Sequence, residues 1–254
     1  MKYKITTDTA MDKGRREIQQ DAVCMLEHGR RGFLAVLSDG IGGMEGGEIF
    51  SGIATDEMKK SFETGNVAGD LCTRLVTLYE NARSKALEYK DTQQIDGGAT
   101  VVAVLIRNDQ CAFLSVGDSR IYLYRGGGMI QLNREHTYGK LLDEMAALGR
   151  IPREEARNNI YRKALTNNLT ETNEPVLDIC PRPFRLQAGD RIVMMSDGVF
   201  GALDDDALVR LMPGPANSCA HRIIEAVRDR DAPRQDNNSA IVISLDEDEA
   251  DENR

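Results

Sequence analysis

The sequence predicts an α+β fold, a β-sandwich flanked by helices, on three observations. Runs such as "TVVAVLI" at 100–106 and "RIVMM" at 191–195 are apolar on both faces, so each sheet needs cover on both sides. Stretches with helical periodicity lie before and after the strand block, where they can cover the outer faces while a second sheet covers the inner ones. The links within the block are only a few residues long, which makes consecutive strands antiparallel, because a parallel crossover needs about a dozen residues.

Taken in order, "AVCML" (22–26) and "FLAVL" (33–37) read as strands. "GGEIFSGIATDEMKKSF" (46–62) is a helix candidate. The next segment places Val67, Leu71, Leu75, Leu78, Ala82, Ala86 and Tyr89 three or four apart, an amphipathic helix. "GATVVAVLI", the turn "RNDQ", "CAFLSVGDSRIYLYR", "GGG" and "MIQL" then read as a meander from 98 to 132. After "RIVMM", Ala220, Ile223, Ile224 and Val227 mark a further helix, the breaker-rich "RDAPRQDNN" ends it, and "AIVISL" (240–245) is the last strand. No Pro-rich or Gly/Ser-rich linker divides the 254 residues, so residues 1–245 are read as one domain. The acidic run from Asp246 to the end is read as a solvated, disordered tail.

Composition excludes several functions. A net charge of −9 argues against nucleic acid or an anionic membrane as main partner. No window approaches the apolar length of a membrane span, and the first residues lack a secretory signal, so a cytoplasmic protein is expected. Five scattered cysteines, at 24, 72, 111, 180 and 219, give neither a disulfide framework nor a zinc site. The histidines at 28, 136 and 221 show no metal-ligand spacing and are read as surface or satisfied side chains.

What carries chemistry is a repeated figure. Apolar runs end on Ser38-Asp39-Gly40 and again on Ser196-Asp197-Gly198, with a looser echo at Gly117-Asp118-Ser119. Asp21 and Asp236 stand ahead of further strands. Any one of these is ordinary turn chemistry. Together they are carboxylates at buried strand ends, and an unneutralised buried charge costs several kcal/mol. A multivalent cation is the economical answer, and oxygen-only ligands select Mg²⁺ or Mn²⁺. Glycine after the aspartate lets a backbone carbonyl approach such an ion.

In order, "REIQQD" (16–21), "VLSDGIGG" (36–43), "GGAT" (97–100), "VGDSR" (116–120), "SDG" (196–198) and "DNNS" (236–239) resemble the motifs of the PPM family, the type 2C metal-dependent protein serine/threonine phosphatases, in its compact bacterial form. The resemblance spans residues 3 to 245. It implies a four-layer α-β-β-α sandwich of two antiparallel sheets flanked by helices. It implies hydrolysis of phosphoserine and phosphothreonine in proteins by water activated between two ions, attacking phosphorus in line. The resemblance puts Asp39 between the two ions with the Gly40 carbonyl on one, Asp197 and Asp236 on the other, Asp21 on bound water, and Asp118 with Asp197 on a weaker third ion. Arg16 would grip the substrate phosphate. Phosphorylated proteins, substrates of a cognate Ser/Thr kinase, are the implied partners, and a monomer is expected.

Departures from the family pattern bear on the chemistry. Gln19 and Gln20 replace Asn and Glu or Gln, Ala99 replaces a hydroxyl residue, Met44 stands where many bacterial relatives have His, and Ile41 stands where animal members carry a proton-donating His. The stretch 136–162 falls where bacterial members place a mobile flap, though its pattern equally suits a surface helix pair. Cys24 and Arg30 have the bare spacing of a cysteine phosphatase, but the apolar strand around Cys24 and the lack of a glycine-rich cradle make it a strand cysteine. The alternative function is a catalytically weak or inactive pseudophosphatase that binds a phosphoprotein or kinase.

Overall fold

The structure, a computed structural model, describes residues 3–41, 46–65, 68–173 and 176–247. Its strands are β1 (Tyr3–Asp12), β2 (Asp21–His28), β3 (Gly32–Asp39), β4 (Val101–Arg107), β5 (Gln110–Val116), β6 (Arg120–Arg125), β7 (Gly128–Gln131), β8 (Asp178–Ile179), β9 (Phe184–Arg185), β10 (Arg191–Met195) and β11 (Asn238–Glu247). The helices are α1 (Gly47–Thr64), α2 (Leu71–Gln93), α3 (Tyr138–Ala147), α4 (Arg153–Asn158), α5 (Asp197–Phe200), α6 (Asp205–Leu211) and α7 (Cys219–Arg228).

One antiparallel sheet runs β1-β11-β10-β6-β7; the other runs β2-β3-β4-β5-β8, with β9 also on β5. The apolar-on-both-faces reading is explained by alternation. Ile192 and Met194 of β10, with Ile241, Ile243 and Leu245 of β11, join the large core that also holds β3, β4, β5, α1 and α2. Val193 and Met195, with Ala240 and Val242, pack the opposite way, with Leu208, Ile223, Ile224 and Val227 of α6 and α7. β10 and β11 thus feed two cores, whereas both faces of β4 lie in the larger one, between α1 and α2 and the other sheet.

Three details differ from the sequence reading. The second long helix starts at Leu71, where the Asp70 carboxylate accepts the Thr73 N–H at 2.8 Å and caps it; Val67 lies outside the described residues. The run "CAFLSVGDSRIYLYR" is not one strand but two, and β5 and β6 belong to different sheets. Gly117 makes that crossing, at φ +97°, where a Cβ would lie 2.7 Å from Thr100. Asp246 and Glu247, read as the start of a disordered tail, extend β11 instead, opposite Lys4 and Tyr3 of β1, a strand to which the sequence reading assigned nothing. The rest of the tail lies outside the described residues.

Candidate active site

The crossing at Gly117 brings the ends of both sheets together, and the aspartates meet there. Asp21 opens β2 and Asp39 closes β3, directly opposite one another in the register. Asp118 sits in the β5–β6 crossing, Asp197 begins α5 where β10 ends, and Asp236 precedes β11. Arg16, Asp39, Gly40, Asp118, Asp197 and Asp236 line one cleft of about 480 Å³, together with Gln20, Ile41, Thr100, Lys163 and Asn168. Every site residue singled out from the sequence is there except Asp21, which lies buried behind Asp39.

Asp21 is held by side chains from the other sheet. The Ser239 and Ser196 hydroxyls donate to its Oδ2 at 2.6 and 2.8 Å, while its buried Oδ1 has no hydrogen-bond partner. Burial pushes its carboxyl up to about 6, against those two hydrogen bonds. Burial pushes Asp118 up to about 7, with the charges of Asp197 and Glu135 adding to it. Asp39 lies well above the usual range, first through burial and then through repulsion from Asp21, Asp197, Asp118 and Asp236. Asp197 is raised by burial and by Asp236, and relieved by Lys163 and Arg16. Among the described residues no three His, Cys, Asp or Glu side chains already stand in metal-ligand geometry. The donor set nonetheless fits a hard divalent cation: oxygen atoms only, mutually repelling carboxylates in one cleft, and an orphaned buried oxygen on Asp21.

The glycines are required by packing. A Cβ on Gly40 would lie 2.4 Å from the Gly47 backbone, and one on Gly198 would lie 2.0 Å from the Asn237 carbonyl oxygen. Ala99 replaces a hydroxyl residue, and next to it the Thr100 Oγ1 accepts the Asp39 N–H at 3.0 Å and shares a 2.8 Å hydrogen bond with Ser119. Gln19 replaces the expected Asn and its side-chain oxygen accepts the Asp21 N–H at 3.0 Å. Arg16 donates to Asp236 at 2.7 Å, so the two residues read as phosphate grip and metal ligand face each other.

A family model for protein phosphatase 2C matches residues 13–235, which contain Arg16, Asp21, Asp39, Asp118 and Asp197 and end just before Asp236. The chain belongs to the protein phosphatase 2C family. Serine/threonine protein phosphatase PstP of Mycobacterium tuberculosis is 29% identical over 217 residues, 84% of this chain but 40% of that longer protein. A putative protein phosphatase 2C-type of Streptococcus pyogenes is 26% identical over 84% of both chains. Among solved structures, the catalytic domain of PstP in complex with two manganese ions superposes with a TM-score of 0.77 at 26% identity, covering 96% of this chain and 100% of that one. The two-sheet, helix-flanked architecture is that of the family.

Beside the cleft lies a second of about 420 Å³, sharing Asp118, Lys163 and Asp197 and walled by Thr137, Gly139, Lys140 and Asp143. The stretch 136–162 folds as the helix pair α3 and α4; α3 and Arg162 form that wall, Arg162 bonding Asp143 at 2.8 and 2.9 Å. His136 is a satisfied histidine, accepting the Gly117 N–H on Nδ1, with its pKa lowered by burial. Cys24 is a strand cysteine whose thiol burial pushes up to about 12, which is no nucleophile. Met44, with Gly42 and Gly43, lies outside the described residues.

Sequence reasoning missed Lys163, Thr100 and the two serines around Asp21. Ser196 and Ser239 were visible as members of "SDG" and "DNNS", but nothing local says that their hydroxyls turn to one carboxylate. Lys163 carries no motif signal. Among the described residues no helix is long and apolar enough to cross a membrane.

Proposed function

We propose that this protein is a metal-dependent protein serine/threonine phosphatase that uses two Mn²⁺ or Mg²⁺ ions, with a weaker third. The observation that carries the reading is the convergence of Arg16, Asp39, Gly40, Asp118, Asp197 and Asp236 on one cleft, from loops and strand ends of both sheets. Asp39 would hold the core pair, with the Gly40 carbonyl on one ion. Asp197 and Asp236 would hold the other ion, Asp21 metal-bound water, and Asp118 with Asp197 the third ion. When bound, the ions supply acidification of a water for in-line attack on phosphorus and part of the charge that offsets the phosphoryl oxygens.

The remaining work falls to the chain. Arg16 presents a planar fork to two phosphoryl oxygens. To do so it leaves Asp236, and a half-exposed ion pair of this kind is worth only about 0–1 kcal/mol, so the exchange is cheap. Lys163 adds a second cation to the cleft. Ser196 and Ser239 fix the orientation of Asp21, and Thr100 fixes that of the Asp39 backbone. Ile41 has no proton to give to the leaving serine or threonine oxygen. The helix pair 138–158 would act as the substrate-selecting flap, because α3 walls the adjoining cleft.

Hydrolysis of a phosphothreonine peptide by the purified protein, with Mn²⁺, with Mg²⁺ and with a chelator, tests the reading beside Asp39→Asn. Metal-dependent turnover lost in the variant is expected. No turnover with any metal, together with retained phosphopeptide binding, would sink the enzyme and favour the pseudophosphatase.

A further inference from the structure

At the far end of the sheet that carries Asp21 and Asp39 the clustered charge is positive. Arg31 precedes β3, Arg74 lies in α2, and Arg107 closes β4. Arg107 and Arg31 are brought together by Gly32, whose absent Cβ would lie 3.2 Å from the Arg107 Cβ. Arg74 is only 4% exposed, and its Nε has no hydrogen-bond partner. Among the described residues none of the three forms an ion pair, in a chain whose net charge is −9.

Two of the three meet at Phe62. The Phe62 carbonyl accepts from Arg31, and the Phe62 ring lies 5.9 Å from the Arg74 guanidinium, with His28 on its edge. Phe62 stands in the last turn of α1, whose C-terminus carries about half a negative charge at most. Two full positive charges, on Arg31 and Arg74, lie there. The mutual repulsion registers on Arg74, whose pKa is lowered by burial and then by Arg107 and Arg31.

We propose that Arg31, Arg74 and Arg107 form a second oxyanion site, separate from the aspartate cleft, that takes a phosphate-type dianion. The planar forks of guanidinium groups match tetrahedral oxyanions through paired hydrogen bonds, where lysines would offer point charges. The site stands at the start of β3 and the cleft at its end, seven residue steps or roughly 23 Å apart at the usual rise. One ion therefore cannot touch both. The dianion is either free phosphate or the phosphorylated side chain of a partner protein.

Calorimetric titration under chelation tests this, with inorganic phosphate and a phosphothreonine peptide as probes. Arg16→Ala removes the phosphate grip of the cleft, and Arg31→Ala with Arg107→Ala removes two surface members of the second site. Arg107→Glu alone serves if the double variant loses its native circular dichroism. Saturable binding that survives Arg16→Ala and weakens about tenfold or more in the arginine variants is expected. Binding of the peptide but not of phosphate assigns the dianion to a partner, and binding of phosphate itself assigns it to the free ion. Binding lost with Arg16→Ala, or unchanged in the arginine variants, overturns the proposal.

Discussion

Asp118 and Asp21 should make the metal-free protein less stable as pH rises from 5 to 8, the reverse of an ordinary ion-paired carboxylate. Burial lifts Asp118 to about 7 and Asp21 to about 6, from an unfolded value near 3.8. A carboxyl that binds its proton more tightly folded than unfolded contributes stability that is full below the unfolded value and is lost as pH rises through the folded one. Within the window Asp118 titrates across roughly two pH units and Asp21 across roughly one, which at about 1.4 kcal/mol per unit is a loss of about 4 kcal/mol. For a chain of this size that is roughly 8 to 16 °C in Tm. Asp12 and Asp143, whose pKa values are lowered by hydrogen bonds, contribute only below 3.8 and leave the window untouched. Scanning calorimetry in chelator at pH 5, 6, 7 and 8 measures the slope. Asp39 and Asp197, also raised, add to the loss, and His136, lowered, opposes it. The comparison with Asp118→Asn therefore isolates the Asp118 share: the variant should lose about 2.7 kcal/mol less over the window, and the difference between the two proteins removes the general repulsion that builds as pH leaves the pI of 5.0. Adding Mn²⁺, which competes with these protons, should raise Tm more at pH 8 than at pH 5. Parallel Tm curves for the wild type and Asp118→Asn would refute the reasoning.

Arg16→Ala should lower kcat/KM for a phosphothreonine peptide by about 10²-fold while changing stability by less than about 1 kcal/mol, since its pair with Asp236 is half exposed; steady-state kinetics and denaturant melts check both. Gly198→Ala should destabilise by about 1–3 kcal/mol, because the new methyl meets the Asn237 carbonyl oxygen at 2.0 Å, as urea unfolding would register. Cys24→Ser should leave turnover within about twofold of wild type, whereas a chelator abolishes it, in the same peptide assay. Replacing residues 138–158 with the corresponding stretch of a relative should change the preference among phosphopeptides and spare hydrolysis of a small aryl phosphate; equal effects on both substrates would remove the flap role.

The sequence by itself determined the fold class and named most residues of the candidate site. Apolar alternation on two faces is a local property, and it already demanded two sheets with helices outside. Aspartates at strand ends are also local, and six ordered motifs named Arg16, Asp21, Asp39, Gly40, Asp118, Asp197 and Asp236. Only the tertiary structure decided which strands share a sheet: "CAFLSVGDSRIYLYR" is continuous in pattern, and the crossing at Gly117 depends on its close approach to Thr100. It also decided that Ser239 holds Asp21 across 218 residues of chain, that Arg16 pairs with Asp236 across 220, and that Lys163 enters the cleft at all. Periodicity reports which face of an element is buried, because that depends on neighbours a few residues away. Which distant side chains meet depends on how whole layers stack, and no short stretch of sequence carries that information.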